Sequence, residues 1–252
     1  MKRVRLVIAY DGTNYCGWQR QINGVTVEEV LNRTLTDLLG ETIGVIGASR
    51  TDSGVHAMGN VAVFDTKTRI PAEKISFALN QRLPDDIRIQ KSDEVALDWH
   101  PRFCDSTKTY EYRILNRRFP DPLQRFYTHF VYMPLDVEKM KEAAAYIVGE
   151  HDFASFCSSG SQVESTIRTV YTLEVFREED VISIRISGNG FLYNMVRIIV
   201  GTLMKVGFGV YPPEHVKEIV EAKDRYQAGP KAPACGLTLI GIEYGEEINS
   251  EQ

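Results

Sequence analysis

The hydrophobic pattern of the first half of the chain predicts a regular series of strands and helices. Residues 4–10 are mostly apolar and typical of a strand. Thr26 and Glu29 form a capping box, and the apolar residues after them recur at helical spacing up to Gly40. Two strands at residues 43–46 and 61–65, a helix introduced by Pro71 and a strand that begins with residues 87–89 follow. The predicted order is strand, helix, strand, strand, helix, strand.

The second half repeats this order from residue 108 onward. An alternating strand at residues 109–115 precedes a helix that Asp136 caps and Gly149 ends. The further predicted elements are a hairpin of strands 167–176 and 181–186, an apolar helix at 193–206, an extra helix at 213–222 and a closing strand at 237–244. Each half therefore matches the split βαβ order of ferredoxin-like folds.

These two series predict an α+β fold made of two ferredoxin-like or RRM-like βαββαβ halves, with antiparallel sheets that join edge to edge or face each other around a central cleft. Trp99, His100 and Pro101 interrupt the pattern, which separates a first domain, residues 1–104, from a second, residues 105–252. Because binding sites favour the interfaces between domains, a functional site is expected in the cleft.

The composition, with 43% hydrophobic and 25% charged residues, is that of a soluble globular protein. No apolar stretch is long enough to span a bilayer, and the apolar run after the charged N-terminus stops at Tyr10, too soon for a signal peptide. A cytoplasmic location is therefore expected. In that compartment the four cysteines, which show no metal-ligand spacing, are expected to be reduced.

The net charge of −5 gives no general reason to expect a nucleic acid as partner. Locally, however, residues 102–125 hold six basic and three acidic side chains. This segment is compatible with a basic face on an acidic protein, and equally with ordinary solvated surface.

Residues 47–57 show neither helical nor strand periodicity, and a loop is predicted there. Their sequence, G-A-S-R-T-D-S-G-V-H-A, is rich in polar and charged side chains. Metal binding fits poorly because Asp52 and His56 are the only ligands there, and a two-carboxylate hydrolase lacks a well-placed second acid. A nucleophilic Asp52 needs a cation to keep it ionised, which Arg50 or Arg197 can supply. Alternatively, Asp52 only caps a turn and Arg50 is a solvated charge.

Two further positions stand out in the second half. Arg197 lies in a predicted helix that is otherwise apolar nearly all round, where an unpaired guanidinium is costly to bury. It either extends from the helix edge into solvent or pairs with a buried carboxylate, for which Asp52 is the candidate. Tyr110 and Tyr112 share one face of a strand that also carries basic residues, which suits base stacking and, equally, ordinary sheet packing.

At these positions the sequence resembles a known family. Arg50-Thr51-Asp52-Ser53-Gly54-Val55-His56-Ala57 is similar to the catalytic signature of the tRNA pseudouridine synthase A family. Segments similar to other family motifs follow the same order over nearly the full length, at residues 10–21, 100–110, 149–153, 188–197 and 234–237. The departures are Ser53 where alanine is common, Pro101 and Cys235, and none of them touches the acid.

The resemblance implies an isomerase that converts uridine to pseudouridine at positions 38, 39 and 40 of the tRNA anticodon stem-loop. It implies a homodimer that clamps one tRNA and uses no metal or organic cofactor. Asp52 would be the nucleophile, attacking the uracil ring or the ribose C1′ after the base is flipped out. Tyr110 would stack on the target base, Arg197 would pair with Asp52, and Arg50 would fill the space left by the flipped nucleotide or contact its phosphate.

Two other functions compete with this interpretation. A non-catalytic RNA-binding protein of two RRM-like sheets would keep the aromatic residues and a basic cleft, but the aromatic RRM signature on a central strand is missing. A small-molecule hydrolase with an aspartyl nucleophile would need a base beside Asp52, and only His56 is near in sequence. In that case changing His56 would abolish activity as thoroughly as changing Asp52, whereas milder effects are expected if His56 is structural.

Overall fold

The computed structural model describes residues 1–160 and 163–245, which form two compact units. The first unit consists of Met1–Ser106 together with residues 238–245, and the second unit consists of the described residues of Thr107–Leu237. Strand pairing is mostly antiparallel, and helices alternate with strands along the chain. The predicted α+β class is confirmed.

The first unit has the predicted order of strand, helix, strand, strand, helix, strand. Its elements are β1 (Lys2–Tyr10), α1 (Val27–Leu39), β2 (Ile46–Gly47), β3 (His56–Thr66), α2 (Ala72–Asn80) and β4 (Ile87–Val95). Strand β1 is central, because it pairs antiparallel with both β3 and β4, and β2 pairs antiparallel with β3. The loop between β2 and β3 therefore joins two neighbouring strands.

Helix α1 begins and ends where its capping residues predict. The Thr26 side chain accepts a hydrogen bond from the Glu29 N–H at 3.3 Å, and Gly40 follows the helix with a φ of 67°. Because residues with a Cβ are strained in this left-handed region, glycine suits the position. The residues buried on the inner face are Val27, Val30, Leu31, Thr34 and Leu35.

Strand β2 is shorter than the predicted strand at residues 43–46. The backbone N–H of Ile43 donates to Thr36 Oγ1 at 3.1 Å, and that of Val45 donates to Asn32 Oδ1 at 2.8 Å. Both acceptors are side chains of α1, so these residues are tied to the helix and not to a neighbouring strand. Ile43 and Val45 are nevertheless buried, which explains the strand-like apolar pattern.

The second unit contains more strands than the sequence predicts. Its elements are β5 (Ser106–Asn116), which starts at the unit boundary, β6 (His129–Val131), α3 (Val137–Ala144), β7 (Gly149–Asp152), β8 (Ile167–Glu178), β9 (Val181–Gly188), α4 (Met195–Gly207) and α5 (His215–Ala222). The antiparallel order is β5, β9, β8, β7, and β6 runs parallel to β5. The short strands β6 and β7 were not predicted, since three or four residues show too little alternation.

Helix α3 ends at Ala144, before its predicted end at Gly149. The N–H groups of Tyr146 and Ile147 donate to carbonyls three residues earlier, which is the geometry of a turn. Gly149, with a φ of 114°, instead begins β7 opposite Val170. Because Ile147 is buried within the turn, the apolar pattern continues after the helix has stopped.

The closing strand, β10 (Leu237–Tyr244), belongs almost entirely to the first unit. It runs parallel to β3, with Thr238 opposite His56 and Leu239 opposite Ala57. The sequence places this strand with residues 105–252, since alternation shows a strand but not its partner. The boundary between residues 104 and 105 stays a prediction.

Helix α4 is apolar nearly all round, and all its residues except Lys205 are buried. Across residues 1–160 and 163–245, no helix has the length and apolar character that crossing a membrane requires.

Candidate active site

The loop between β2 and β3, residues 48–55, places Asp52 in its middle, and we refer to it as the Asp52 loop. The Asp52 carbonyl accepts a hydrogen bond from the Val55 N–H at 3.1 Å, which closes a turn over Ser53 and Gly54. Gly54 has a φ of 77°, a conformation that favours glycine. Asp52 itself is half-buried, so its surface is neither fully solvated nor sealed in the core.

A second motif segment, residues 10–18, holds the backbone on both sides of Asp52. The Trp18 N–H donates to the Thr51 carbonyl at 3.0 Å, and the Gly54 N–H donates to the Tyr15 carbonyl at 3.3 Å. The two segments lie far apart in the sequence but are packed against each other within the first unit. The backbone at Asp52 is therefore fixed from both sides.

Three glycines allow this close packing. A Cβ added to Gly12 would overlap the Val55 carbonyl oxygen, and one added to Gly47 would overlap the Trp18 ring. Gly17 has a φ of 82°, and a Cβ there would lie 2.6 Å from the Thr51 carbonyl oxygen. Side chains at these positions would separate residues 10–18 from the Asp52 loop.

A buried polar network lies under the Asp52 loop. Tyr10 Oη is 2.7 Å from Thr51 Oγ1 and accepts a hydrogen bond from Asn60 Nδ2 at 3.3 Å. Asn60 Nδ2 also donates to the Ser49 carbonyl at 3.0 Å. Because all four residues are buried, the network ties the loop to β1 and β3 without help from solvent.

Tyr10→Phe is expected to lower the free energy of unfolding by about 1–3 kcal/mol, because the amide of Asn60 and the hydroxyl of Thr51 lose a buried partner. Urea denaturation followed by circular dichroism measures this change. Tyr171→Phe, at an exposed tyrosine, is the control and is expected to leave stability unchanged. Equal stability of Tyr10→Phe and the wild type would show that the network does not stabilise the loop.

His56 connects residues 10–18 to the start of β3. Its side chain is buried, and its Nδ1 accepts a hydrogen bond from the Gly12 N–H at 3.1 Å. Asp11 Oδ1, which also accepts from the N–H of Thr13 at 2.9 Å, lies 3.1 Å from the same ring nitrogen. One nitrogen cannot accept from Gly12 and donate to Asp11 together, so the position of the ring proton decides which of the two contacts is a hydrogen bond. The burial of the ring is compatible with the expected structural role of His56, which stays a prediction.

Two arginines of the first unit lie at the Asp52 loop. Arg50 is part of the loop, and Arg102 contacts Gly47, the residue before it. Arg50 is exposed and forms no hydrogen bond or ion pair with another described residue. Arg102 Nε donates to the Gly47 carbonyl at 2.7 Å. Burial, and then the charge of Arg50, lower the pKa of Arg102. Sequence reasoning did not single out Arg102, although it lies in one of the segments that resemble family motifs.

In the second unit, Tyr110 and Tyr112 lie on the same face of β5, and both are buried. The Tyr110 ring contacts Phe191 edge to face, with 5.3 Å between centroids. Tyr112 Oη donates to the Pro233 carbonyl at 2.9 Å, and burial strongly raises the pKa of this phenol. Tyr112 is thus a packed core residue.

Arg197 lies in the first turn of α4 with a side chain that is buried, not extended into solvent. Its Nε donates to the Ala232 carbonyl at 2.8 Å, and its Nη1 donates to Asn194 Oδ1 at 3.2 Å. These bonds orient the guanidinium within the second unit. The predicted pair of Arg197 with Asp52 joins residues of different units and stays a prediction.

The described parts of the chain contain no group of three or more histidine, cysteine, aspartate or glutamate side chains arranged to hold a metal ion. The four cysteines are free thiols.

Comparison with known proteins relates this geometry to one family. The family model described as tRNA pseudouridine synthase matches residues 6–104 and 143–245. The chain is 52% identical over 244 residues to tRNA pseudouridine synthase A of Thermoanaerobacter sp. (strain X514), covering 97% of this chain and 100% of that protein. The identity to the protein of the same name in Acetivibrio thermocellus is 48%, with the same coverage. The Asp52 loop and residues 10–18 lie wholly inside the first matched range.

Proposed function

The chain belongs to the tRNA pseudouridine synthase family and is thus an isomerase acting on tRNA, and on this premise we propose that it converts uridine to pseudouridine in the anticodon stem-loop. The target positions are 38, 39 and 40. We further propose that it works as a cytoplasmic homodimer that clamps one tRNA, with no metal or organic cofactor. These finer statements follow the family resemblance of the sequence.

The observation that carries the proposal is the way in which Asp52 is held. Thr51 is anchored through its carbonyl to Trp18 and through its hydroxyl to Tyr10, and the turn after Asp52 is anchored to Tyr15. A nucleophile gains rate from such preorganisation, because the entropy of positioning is lost during folding and not during the reaction. A carboxylate that only caps a turn does not need so many supports.

The proposed reaction is a rearrangement in which atoms balance within the nucleotide. After the base is flipped out, the Asp52 carboxylate attacks the uracil ring or the ribose C1′, and the bond between N1 and C1′ breaks. The uracil turns, C5 bonds to C1′, and the proton on C5 is lost while N1 gains one. The bond to Asp52 breaks in the same sequence: an ester to C1′ is displaced when C5 bonds to C1′, and an adduct to the ring is eliminated after the new bond has formed. The carboxylate of Asp52 is thereby regenerated. The ring stays in the site throughout, so no co-substrate is consumed.

Residues of both units have roles in this proposal. Tyr110 stacks on the target base, because an aromatic ring holds a planar uracil without fixing its rotation. Arg197 pairs with Asp52 and keeps the carboxylate charged. The supports of Arg197, the Ala232 carbonyl and Asn194, are consistent with a guanidinium held ready for an anion. Arg50 contacts the RNA at the flipped nucleotide.

The decisive experiment uses an anticodon stem-loop whose uridines at positions 38, 39 and 40 carry tritium at C5. Pseudouridine formation releases this label to water, so the wild-type protein is expected to release it in a time-dependent reaction. A matched RNA with cytidine at these positions and labelled uridine elsewhere is expected to release none. An RNA-binding protein would bind the stem-loop without release, and a small-molecule hydrolase would do neither. Absence of release from the first RNA would refute the proposal.

A further inference from the structure

Arg50 and Arg102 both lie at one short stretch of backbone, residues 47–50: Arg102 contacts its first residue, and Arg50 is its last. Arg102 is hydrogen-bonded to the Gly47 carbonyl, and Arg50 follows Gly47 by three residues, a span of at most about 10 Å in an extended chain. Arginines on β1 behave differently: Arg3 and Arg5 each bind an aspartate through two nitrogens. No carboxylate forms an ion pair with Arg50 or Arg102 within residues 1–160 and 163–245.

The guanidinium of Arg102 is already oriented without any ligand. Its backbone N–H donates to His100 Nδ1 at 3.2 Å, within a turn in which the His100 and Phe103 rings stack 4.1 Å apart. Its Nε is engaged by the Gly47 carbonyl, so the two terminal nitrogens, with four N–H donors, remain available. An arginine held through Nε presents the edge that binds two oxygens of a phosphate or carboxylate.

The charges at this place favour an anion. The pKa of Arg102 is lowered by burial and by Arg50, and Glu28 raises it less than these two causes lower it. Two like charges at short range repel each other, and a phosphate between them would turn this repulsion into attraction. Phe103 beside them is 84% exposed and offers a flat surface on which a base can stack. A nucleotide unit supplies both the anion and the base.

We propose that Arg50 and Arg102 form a two-arginine site for one phosphodiester of the RNA, beside the uridine that Asp52 attacks. The site rests on the proposed function, since it assigns a contact of the same substrate. Arg102 fixes the phosphate because its own position is fixed by Gly47. Arg50 completes the site with a second charge from within the Asp52 loop.

Arg102→Gln tests the site through the salt dependence of binding. The dissociation constant of an anticodon stem-loop with cytidine at the target positions, which cannot react, is measured by fluorescence anisotropy at several KCl concentrations. We expect roughly tenfold weaker binding at low salt and a log–log slope that is smaller by about 0.7 to 0.9, the value for one lost phosphate contact. Arg82→Gln, at an exposed arginine of the first unit, is the control and should change neither quantity.

Substitution in the RNA locates the phosphate. Each phosphate of the loop is replaced singly by an uncharged methylphosphonate, and wild-type binding is expected to weaken at one position in particular. At that position Arg102→Gln should show no further loss, because the contact is already gone. The proposal is wrong if Arg102→Gln weakens binding without changing the slope of the salt dependence. It is also wrong if every methylphosphonate, including the one at the identified position, weakens the binding of Arg102→Gln further. In either case Arg102 only supports the Asp52 loop.

Two further variants keep the test decisive if Arg102→Gln is unstable. Arg50→Gln removes a side chain that forms no hydrogen bond with another described residue, and the variant is expected to fold normally and to reduce the slope as well. Arg102→Lys keeps the charge and is expected to retain most of the slope. Absence of tritium release by the wild type, with the slope change intact, would refute the proposed reaction and leave the phosphate site standing.

Discussion

Asp52→Ala is expected to lower the rate of pseudouridine formation on the order of 10⁴-fold or more, because the variant has no carboxylate to attack the nucleotide. The turn that presents Asp52 is closed by backbone atoms and is anchored by Trp18 and Tyr15, so the turn itself does not depend on the carboxylate. Binding of the anticodon stem-loop is therefore expected to remain within about threefold of wild type. Tritium release under single-turnover conditions measures the rate, and anisotropy measures the binding.

Two controls identify the role of the acid. Asp85→Asn changes a fully exposed aspartate of the same unit and should leave the rate unchanged. His56→Gln separates an isomerase from a hydrolase with a histidine base: a base would be needed as much as Asp52, whereas a structural residue should cost far less once the variant is folded. Undiminished release by Asp52→Ala would remove Asp52 from the mechanism.

Gly12→Ala is expected to be strongly damaging although it adds only one methyl group. Its added methyl group would overlap the Val55 carbonyl oxygen, a backbone atom that cannot move aside without moving the turn after Asp52. Gly12 also donates its N–H to His56, so the same displacement breaks a buried hydrogen bond. We expect a loss of about 2–4 kcal/mol in the free energy of unfolding and a much lower rate in the molecules that remain folded.

The matched control for this prediction is Gly44→Ala. A Cβ at Gly44 meets nothing within 4 Å, and the residue does not have a positive φ, so the substitution should change stability by less than about 1 kcal/mol. Denaturation curves of both variants, with tritium release at a temperature where both are folded, complete the comparison. Similar stability of the two variants would mean that residues 10–18 and the Asp52 loop are not tightly packed in solution.

Local signals in the sequence account for much of the first unit. The cap at Thr26, the helical spacing after it and Gly40 predict α1 correctly, because each acts within a few residues along the chain. The same reasoning overextended the strand before β2, where α1 side chains take the backbone donors of Ile43 and Val45. It also continued α3 to Gly149, because a buried turn shows the same apolar pattern as a helix.

The sequence by itself determined the α+β class, the order of elements in the first half and the family signature around Asp52, since period, capping and motif depend on neighbouring residues. Only the tertiary structure decided that residues 10–18 support the Asp52 loop, that β10 pairs with β3, and that Arg102 is held by Gly47. These contacts join residues that are far apart in the chain. Their partners are selected by packing and by the pairing of buried polar groups, which no local pattern records.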